Sequence, residues 1–329
     1  MQISEVIEKL ESQQHLSRAE AGTVMERLLS GSVPDEEIVS FLAALRDKGE
    51  QVEELVGFAQ VMRAHAAEGL RQAGVDLEAL LAGSPLLDTC GTGGDGHATF
   101  NVSTAVALVA AAGGVRVAKH GNRSISSRCG SADVLEALGV SLNLPFARIP
   151  ACLEEVGMVF LFAPSLHAAM KHVMNARRAL KTKSVFNLLG PLTNPLRASV
   201  QLVGVYDASR TEMMARALGA VGTERAFVVT GSDGMDENTL SLHDATLLFQ
   251  CRRGPDPPRD PGRFRFCADA TRGTARRRRR DQRRAYTIRP SRQGRSPPGC
   301  GPRQRCRGIC GGDQGGRLYP RRCHGCRSD

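Results

Sequence analysis

The loop Gly91-Thr92-Gly93-Gly94-Asp95-Gly96 places four glycines in six residues. A backbone that free can turn several amide N–H groups onto one anion. Asn101, Ser103 and Thr104 follow at the start of an Ala/Val-rich stretch, where unpaired helix N–H groups and the positive dipole end add to the attraction. Lys119-His120-Gly121-Asn122-Arg123 forms a second polar segment, and the serines up to Ser127 form a third. Together they describe a seat for a phosphate-rich ligand. Tight turns alone would also use such glycines, and the first loop is neither a dinucleotide fingerprint nor a P-loop.

The elements between these loops explain how they could meet. Leu86 to Thr89 reads as a strand entering the first loop, Val102 to Ala112 as a helix, Val115 to Ala118 as a second strand, and Ser131 to Leu138 as another helix. Loops after successive parallel strands converge on the carboxyl edge of the sheet. Farther on, Ile149 to Gly157 reads as a helix and Met158 to Phe162 as a strand. Ser165 to Leu180 reads as one helix with Leu166, Met170 and Val173 on one side and His167, Lys171 and Arg178 towards the other. Strands at Leu202 to Val205 and Ala226 to Val229 flank a helix from Thr211 to Leu218. Ahead of all this, residues 1–65 carry short amphipathic helices. Ser17 and Glu20 form a capping box, Pro34 and Asp35 open the next helix, and Lys48-Gly49 close it. The expected fold is α/β: a small all-helical N-terminal domain, then a larger parallel-sheet domain over residues 66–237.

The segments GTGGDG, NVST (Asn101 to Thr104), KHGNRSISS (Lys119 to Ser127), GSADVLEALG (Gly130 to Gly139) and FNLLGPLTNP (Phe186 to Pro195) together resemble the anthranilate phosphoribosyltransferase family. That group shares its fold with the pyrimidine nucleoside phosphorylases. The resemblance implies transfer of a phosphoribosyl group from phosphoribosyl pyrophosphate to anthranilate, a step of tryptophan biosynthesis. It also implies a helical domain interleaved with the sheet domain by a crossing segment near 165–185, a homodimer contact on the helical domain, and association with anthranilate synthase subunits.

By the same resemblance, Gly91, Thr92 and Gly94 wrap the ligand through backbone amides and Asp95 positions it. Asn101 and Thr104 contact phosphate and ribose, Lys119 supplies fixed positive charge, and Ser127 contacts pyrophosphate. Mg2+ is implied as cofactor, held by Ser103, Asp236 and Glu237. Read alone, Ser103 is a helix cap and the acidic pair a solvated turn. Arg177 matches the arginine that grips the acceptor carboxylate, with Asn122 and His167 completing that pocket and His120 shaping the loop. No protein nucleophile is implied, so catalysis rests on positioning by Asp95, Asn122 and Lys119. The chain departs from the family pattern at Thr230, Ala168 and Leu180-Lys181-Thr182-Lys183-Ser184, where the usual run is L-G-x-R-T.

Charge divides the chain. Residues 1–237 hold 21 Lys/Arg against 27 Asp/Glu, whereas 238–329 hold 23 arginines against 7 acids, so the basic pI of about 9.4 belongs to the tail. Seven of the ten cysteines also fall there. The opening MQISEVIEKLESQQ has neither the basic nor the apolar region of a signal peptide, which points to a cytoplasmic protein without a membrane span. Residues 238–329 do not resemble the family; Arg, Gly and Pro dominate them, and no run long enough for a buried element appears after about Phe249. A reading-frame shift in a GC-rich gene, giving disordered or non-native sequence, is the favoured explanation. A nucleic-acid-binding tail and a zinc site at Cys306, Cys310, Cys323 and Cys326 are the alternatives. Nucleoside phosphorolysis, transfer to another acceptor, or nucleic-acid binding without catalysis are the rival functions.

Overall fold

The computed structural model describes residues 1–93, 100–124 and 129–231, and the backbone of 249–252 and 265–266. Of the expected site residues, Gly94, Asp95, Ser127, Asp236 and Glu237 lie outside the described residues, as do Cys306, Cys310, Cys323 and Cys326.

Four helices open the chain: α1 (Ile3–Glu11), α2 (Arg18–Ser30), α3 (Asp35–Lys48) and α4 (Val52–Gln72). The capping box forms as the sequence requires, with Ser17 N–H donating to the Glu20 carboxylate at 2.8 Å and Glu20 N–H donating to Ser17 Oγ at 3.3 Å. Gly49 ends α3 at φ +86°, a region that favours glycine. Each helix turns one apolar stripe inward, and Val6, Leu10, Met25, Phe41, Leu45 and Phe58 share one buried core.

After α5 (Leu77–Leu81) the sheet region begins. In chain order it comprises β1 (Leu86–Gly91), α6 (Val102–Ala112), β2 (Arg116–Gly121), α7 (Ser131–Ala137), α8 (Ile149–Glu155), β3 (Met158–Phe162), α9 (Ala163–Leu166), α10 (Met174–Leu180), α11 (Val185–Leu189), β4 (Val200–Gly204), α12 (Thr211–Ala220), β5 (Arg225–Val229), β6 (Phe249–Arg252) and β7 (Arg265–Phe266). The strand order is β3-β2-β1-β4-β5-β6-β7, parallel from β3 to β5 and antiparallel thereafter. Gly91 pairs with Gly204 and Gly204 with Val229, so β1, β4 and β5 end level on one edge. The apolar sides of α10 and α11 do not stay with the sheet. Val173, Ala176, Val185, Phe186 and Leu188 enter the core of the first four helices, as do Val203, Met214, Ala226 and Val228. Helical bundle and sheet are therefore interleaved.

Three local expectations change. The second strand does not stop at Ala118: pairing with β3 continues to Gly121 opposite Phe162, so Lys119 and His120 are strand residues. The single helix over Ser165 to Leu180 is broken into α9, a 3-10 segment (Ala168–Val173) and α10. His167 leaves the helix at φ −115° and ψ 54°, and is buried. Pro164 lies in the first turn of α9, where its fixed φ and missing N–H are tolerated. Finally, β6 adds a strand after Asp236 and Glu237, in a four-residue run too short to stand out within the arginine-rich sequence.

Lys181 closes α10 in the left-handed region at φ 55°, at the place where the sequence departs from L-G-x-R-T. A side chain with Cβ costs about 1–2 kcal/mol there, partly offset by the greater unfolded freedom of glycine. Lys181→Gly should therefore raise stability by about 1 kcal/mol, read as a higher urea midpoint; an unchanged or lower midpoint would contradict this.

Candidate active site

The site is built on an unusual strand. β1 carries Asp88 with no solvent exposure, and burial pushes its carboxyl above the usual range while Lys119 pulls it back. One carboxylate oxygen accepts from His120 N–H at 3.1 Å and the other from Asn194 Nδ2 at 2.9 Å. Asn194 also donates to the Ala118 carbonyl at 2.9 Å and accepts from Leu196 N–H at 3.0 Å. β1, β2 and the segment after α11 are thus fastened together. A buried polar group is stable only when paired in this way.

The alternation of β2 sends its two functional side chains to opposite faces of the sheet. Lys119 goes towards α6: its Nζ donates to the Thr89 carbonyl at 2.5 Å and to Ser103 Oγ at 3.1 Å. Thr89 Oγ1 donates to the Ser103 carbonyl at 2.8 Å, so α6 is tied to β1 at its first turn. Burial lowers the Lys119 ammonium, and Asp88 opposes that shift. Asn101 is the N-cap residue of α6 and donates through Nδ2 to the Cys129 carbonyl at 3.3 Å, tying the start of α6 to the residues just before α7. Ser103 is therefore inside the first turn rather than its cap. Thr104 is buried, and its hydroxyl has no hydrogen-bond partner among the described residues.

Thr92 continues β1, donating its N–H to the Gly204 carbonyl at 2.9 Å and accepting at Oγ1 from Tyr206 N–H at 3.2 Å. Gly93 takes φ +62°, the turn into the glycine-rich loop. At the end of β2, Asn122 is exposed, and its carbonyl accepts from Ala132 N–H at 3.2 Å. Gly130 is required here, because a Cβ would lie 2.6 Å from the Arg123 carbonyl carbon and 2.8 Å from the Asn122 carbonyl oxygen.

His120 faces the other way, with Nδ1 3.3 Å from the Gly190 carbonyl and its ring edge-on to His167 at 5.2 Å between centroids. Both Nε2 atoms are buried without a hydrogen-bond partner among the described residues. Burial holds His120 down to about 3, with His167 adding to the effect, and burial also holds His167 down to about 4. Both rings are neutral at pH 7. Because the unfolded rings take up protons near pH 6.5, the stability they contribute is present above that pH and lost as pH falls towards 4. At about 1.4 kcal/mol per unit for each ring, the loss by about pH 4 is on the order of 5 kcal/mol. Urea midpoints measured from pH 7 to 4 should fall accordingly, and less steeply in His167→Gln; equal slopes would contradict the assignment.

Arg177 stands apart from these contacts. Its guanidinium lies 5.0 Å over the Phe186 ring and 4.0 Å from Met174 Sδ, and burial lowers it. No carboxylate pairs with it among the described residues. Burying a fork of donors without an acid is costly, which marks it as a seat for an anion.

The structure thus brings Thr92, Ser103, Thr104 and Lys119 to one sheet edge and joins Asn101 to Cys129, with His120 and His167 together on the opposite face. Asp88 and Asn194 are the positioning residues that sequence reading missed. A lone acid inside an apolar strand was the available signal for the first. Among the described residues no three His, Cys, Asp or Glu side chains form a metal cluster. The expected magnesium set consists of hard oxygens, which suits that ion; Ser103 is its described member.

The helical region, residues 4–66, matches the glycosyl transferase family's helical bundle domain, and residues 83–255 match the family's α/β domain. The anthranilate phosphoribosyltransferase of Moorella thermoacetica is 52% identical over 236 residues, covering 71% of this chain and 66% of that protein. The chain therefore spans just under two thirds of that relative's length. The solved anthranilate phosphoribosyltransferase of Thermus thermophilus superposes with a TM-score of 0.65 at 42% identity, over 74% of this chain and 70% of that one. The Saccharomyces cerevisiae enzyme in complex with PRPP and Mg gives 0.66 at 29% identity, over 76% and 72%; a second structure of it holds 4-fluoroanthranilate.

Proposed function

The chain belongs to the anthranilate phosphoribosyltransferase family, and from that premise we propose that it transfers the 5-phosphoribosyl group of phosphoribosyl pyrophosphate to the amine of anthranilate, releasing pyrophosphate. The observation that carries the reading is the convergence of Thr92, Ser103 and Lys119 at the level ends of parallel strands, where Gly93 turns out of β1.

The amine attacks C1 of the ribose as the bond to pyrophosphate breaks, so positive charge gathers on the sugar and negative charge on the leaving group. A preformed set of donors stabilises that separation without reorganising. The loop amides from Gly91 through Gly94 bind the anionic ligand, with Asp95 positioning it and Ser127 contacting the leaving group. Asn101 and Thr104 hold the phosphate and ribose, and Lys119 supplies a fixed charge beside the first turn of α6. Ser103, Asp236 and Glu237 would hold Mg2+, which would supply positive charge for the leaving pyrophosphate. Arg177 grips the acceptor carboxylate, with Asn122 and His167 orienting the ring. His120, neutral and hydrogen-bonded to Gly190, shapes that wall. An aromatic amine is already neutral at pH 7 and needs no general base.

The helical bundle supplies the homodimer contact in this reading, and association with anthranilate synthase subunits would place donor and acceptor steps together. No helix among the described residues is long and apolar enough to cross a membrane, which supports action in the cytoplasm. The test is fluorescence: anthranilate emission should fall only when the chain, phosphoribosyl pyrophosphate and Mg2+ are all present. Loss that ignores Mg2+ or the phosphoribosyl donor would refute the reading.

A further inference from the structure

A cavity of about 460 Å3, lined in part by Tyr206, lies between the end of α3, the turn after α10 and the segment following β4. Its polar lining is unbalanced. Arg46, Lys183 and Arg210 face it, against a single carboxylate, Glu50. That carboxylate is already taken: Glu50 is buried, with a side chain 5% exposed, and Arg210 Nη1 donates to it at 2.5 Å. Arg46 leans on Asp47 at 2.7 Å, but the Asp47 side chain is 65% exposed, and an ion pair so open to water neutralises little. The negative end of α3 accounts for Arg46 in part.

Nothing comparable answers Lys183. Its ammonium sits 3.3 Å from the centroid of the Tyr206 ring, and no carboxylate pairs with it among the described residues. A cation over an aromatic face is held in place but keeps its charge. The left-handed turn at Lys181 brings the chain from α10 to this position. Thr182 and Ser184 also line the space, and Arg46 Nη1 donates to Thr182 Oγ1 at 2.8 Å, so the arginine is fixed in orientation.

We propose that this cavity binds a small oxyanion of the phosphate class, free or carried on a small metabolite, between Lys183, Arg46 and Arg210. The volume lies within the range of small-molecule sites. Lys183 supplies the charge that no carboxylate answers, while Arg46, engaged with Asp47 and Thr182, and Arg210, engaged with Glu50 and 3.8 Å from Asp207, add the N–H donors those contacts leave open. The site is separate from the one assigned to phosphoribosyl transfer, and its test uses neither Mg2+ nor the phosphoribosyl donor. The two readings therefore stand or fall separately.

The full chain should be titrated calorimetrically in EDTA with inorganic phosphate and, separately, with glycerol 3-phosphate, alongside Lys183→Met and the double variant Lys183→Met, Arg46→Met. The arginines of residues 238–329 attract phosphate equally in all three proteins, so the difference between them is the measurement. Circular dichroism confirms that each is folded. The proposal predicts at least tenfold weaker binding of one or both probes in Lys183→Met and a further loss in the double variant. Weakening for glycerol 3-phosphate alone would identify a carried phosphate as the occupant, and weakening for both would show that free phosphate suffices. Equal affinity in wild type and variants would overturn it. Selenate soaked into crystals of the unmodified chain gives a check independent of any substitution: anomalous density is expected between Lys183, Arg46 and Arg210, and density found only elsewhere would also overturn the proposal.

Discussion

Replacing Asn194 with alanine should lower the stability of the folded chain by about 3–5 kcal/mol. The amide makes three buried hydrogen bonds, to the Asp88 carboxylate, the Ala118 carbonyl and the Leu196 N–H. Its removal leaves all three groups buried and unpaired, at roughly 1–3 kcal/mol each, with some relief from entering water. Because these bonds tie β1 to β2 and both to the segment behind His120, the loss reaches the site: Thr89, Lys119 and the Gly190 carbonyl are all held by the same framework. Urea unfolding followed by far-ultraviolet circular dichroism measures the effect. Asn194→Asp should be no better than alanine, since it sets a second carboxyl against Asp88. A loss below about 1 kcal/mol in Asn194→Ala would mean that the network is not what fastens the strands.

Arg177→Ala should raise the KM for anthranilate by about 100-fold or more while leaving that for phosphoribosyl pyrophosphate within a few-fold. Charge-assisted hydrogen bonds contribute roughly 1.5–3 kcal/mol each, and a guanidinium can supply two to one carboxylate. Arg177 has no acid partner among the described residues and is braced on Phe186, so its fork is committed in direction before a substrate arrives. Arg177→Lys keeps the charge but not the fork and should recover only part of the loss. Aniline, which lacks the carboxylate, gives the sharpest control. The unmodified chain should prefer anthranilate over aniline by about 100-fold or more, and Arg177→Ala should largely abolish that preference. A variant that still discriminates would remove Arg177 from the acceptor site.

Much of this fold is legible in the sequence, for reasons that can be stated residue by residue. The Ser17 and Glu20 capping box, the helix stop at Gly49 and the apolar run of α6 are local signals, and local interactions decide them. The parallel order of the strands follows from helices placed between them. What the sequence hides depends on distance or on small local breaks. Asp88 and Asn194 are 106 residues apart, and nothing in either neighbourhood announces their pairing. The break at His167 needed only one residue outside the helical region, which a periodic reading of Leu166, Met170 and Val173 passes over.

The candidate site divides the same way. Loop glycines, the first turn of α6 and the Lys119 segment are visible as a phosphate seat, because such seats reuse short stretches of backbone. That Lys119 and His120 lie on opposite faces of β2 could have been read from strand alternation had the strand been carried to Gly121. The histidine pair could not, since it forms only when the segment after β3 folds back across the sheet.

The central claim is most directly tested by following anthranilate fluorescence with the purified 329-residue chain, phosphoribosyl pyrophosphate and Mg2+, beside a variant carrying Asp236→Ala and Glu237→Ala. Fluorescence should fall steadily with the unmodified chain, the loss being abolished by EDTA and slowed about 100-fold or more in the variant, as expected when groups that stabilise the leaving charge are removed. Anthranilate emission that holds constant with the folded, unmodified chain, or that falls equally fast in the variant, would contradict it.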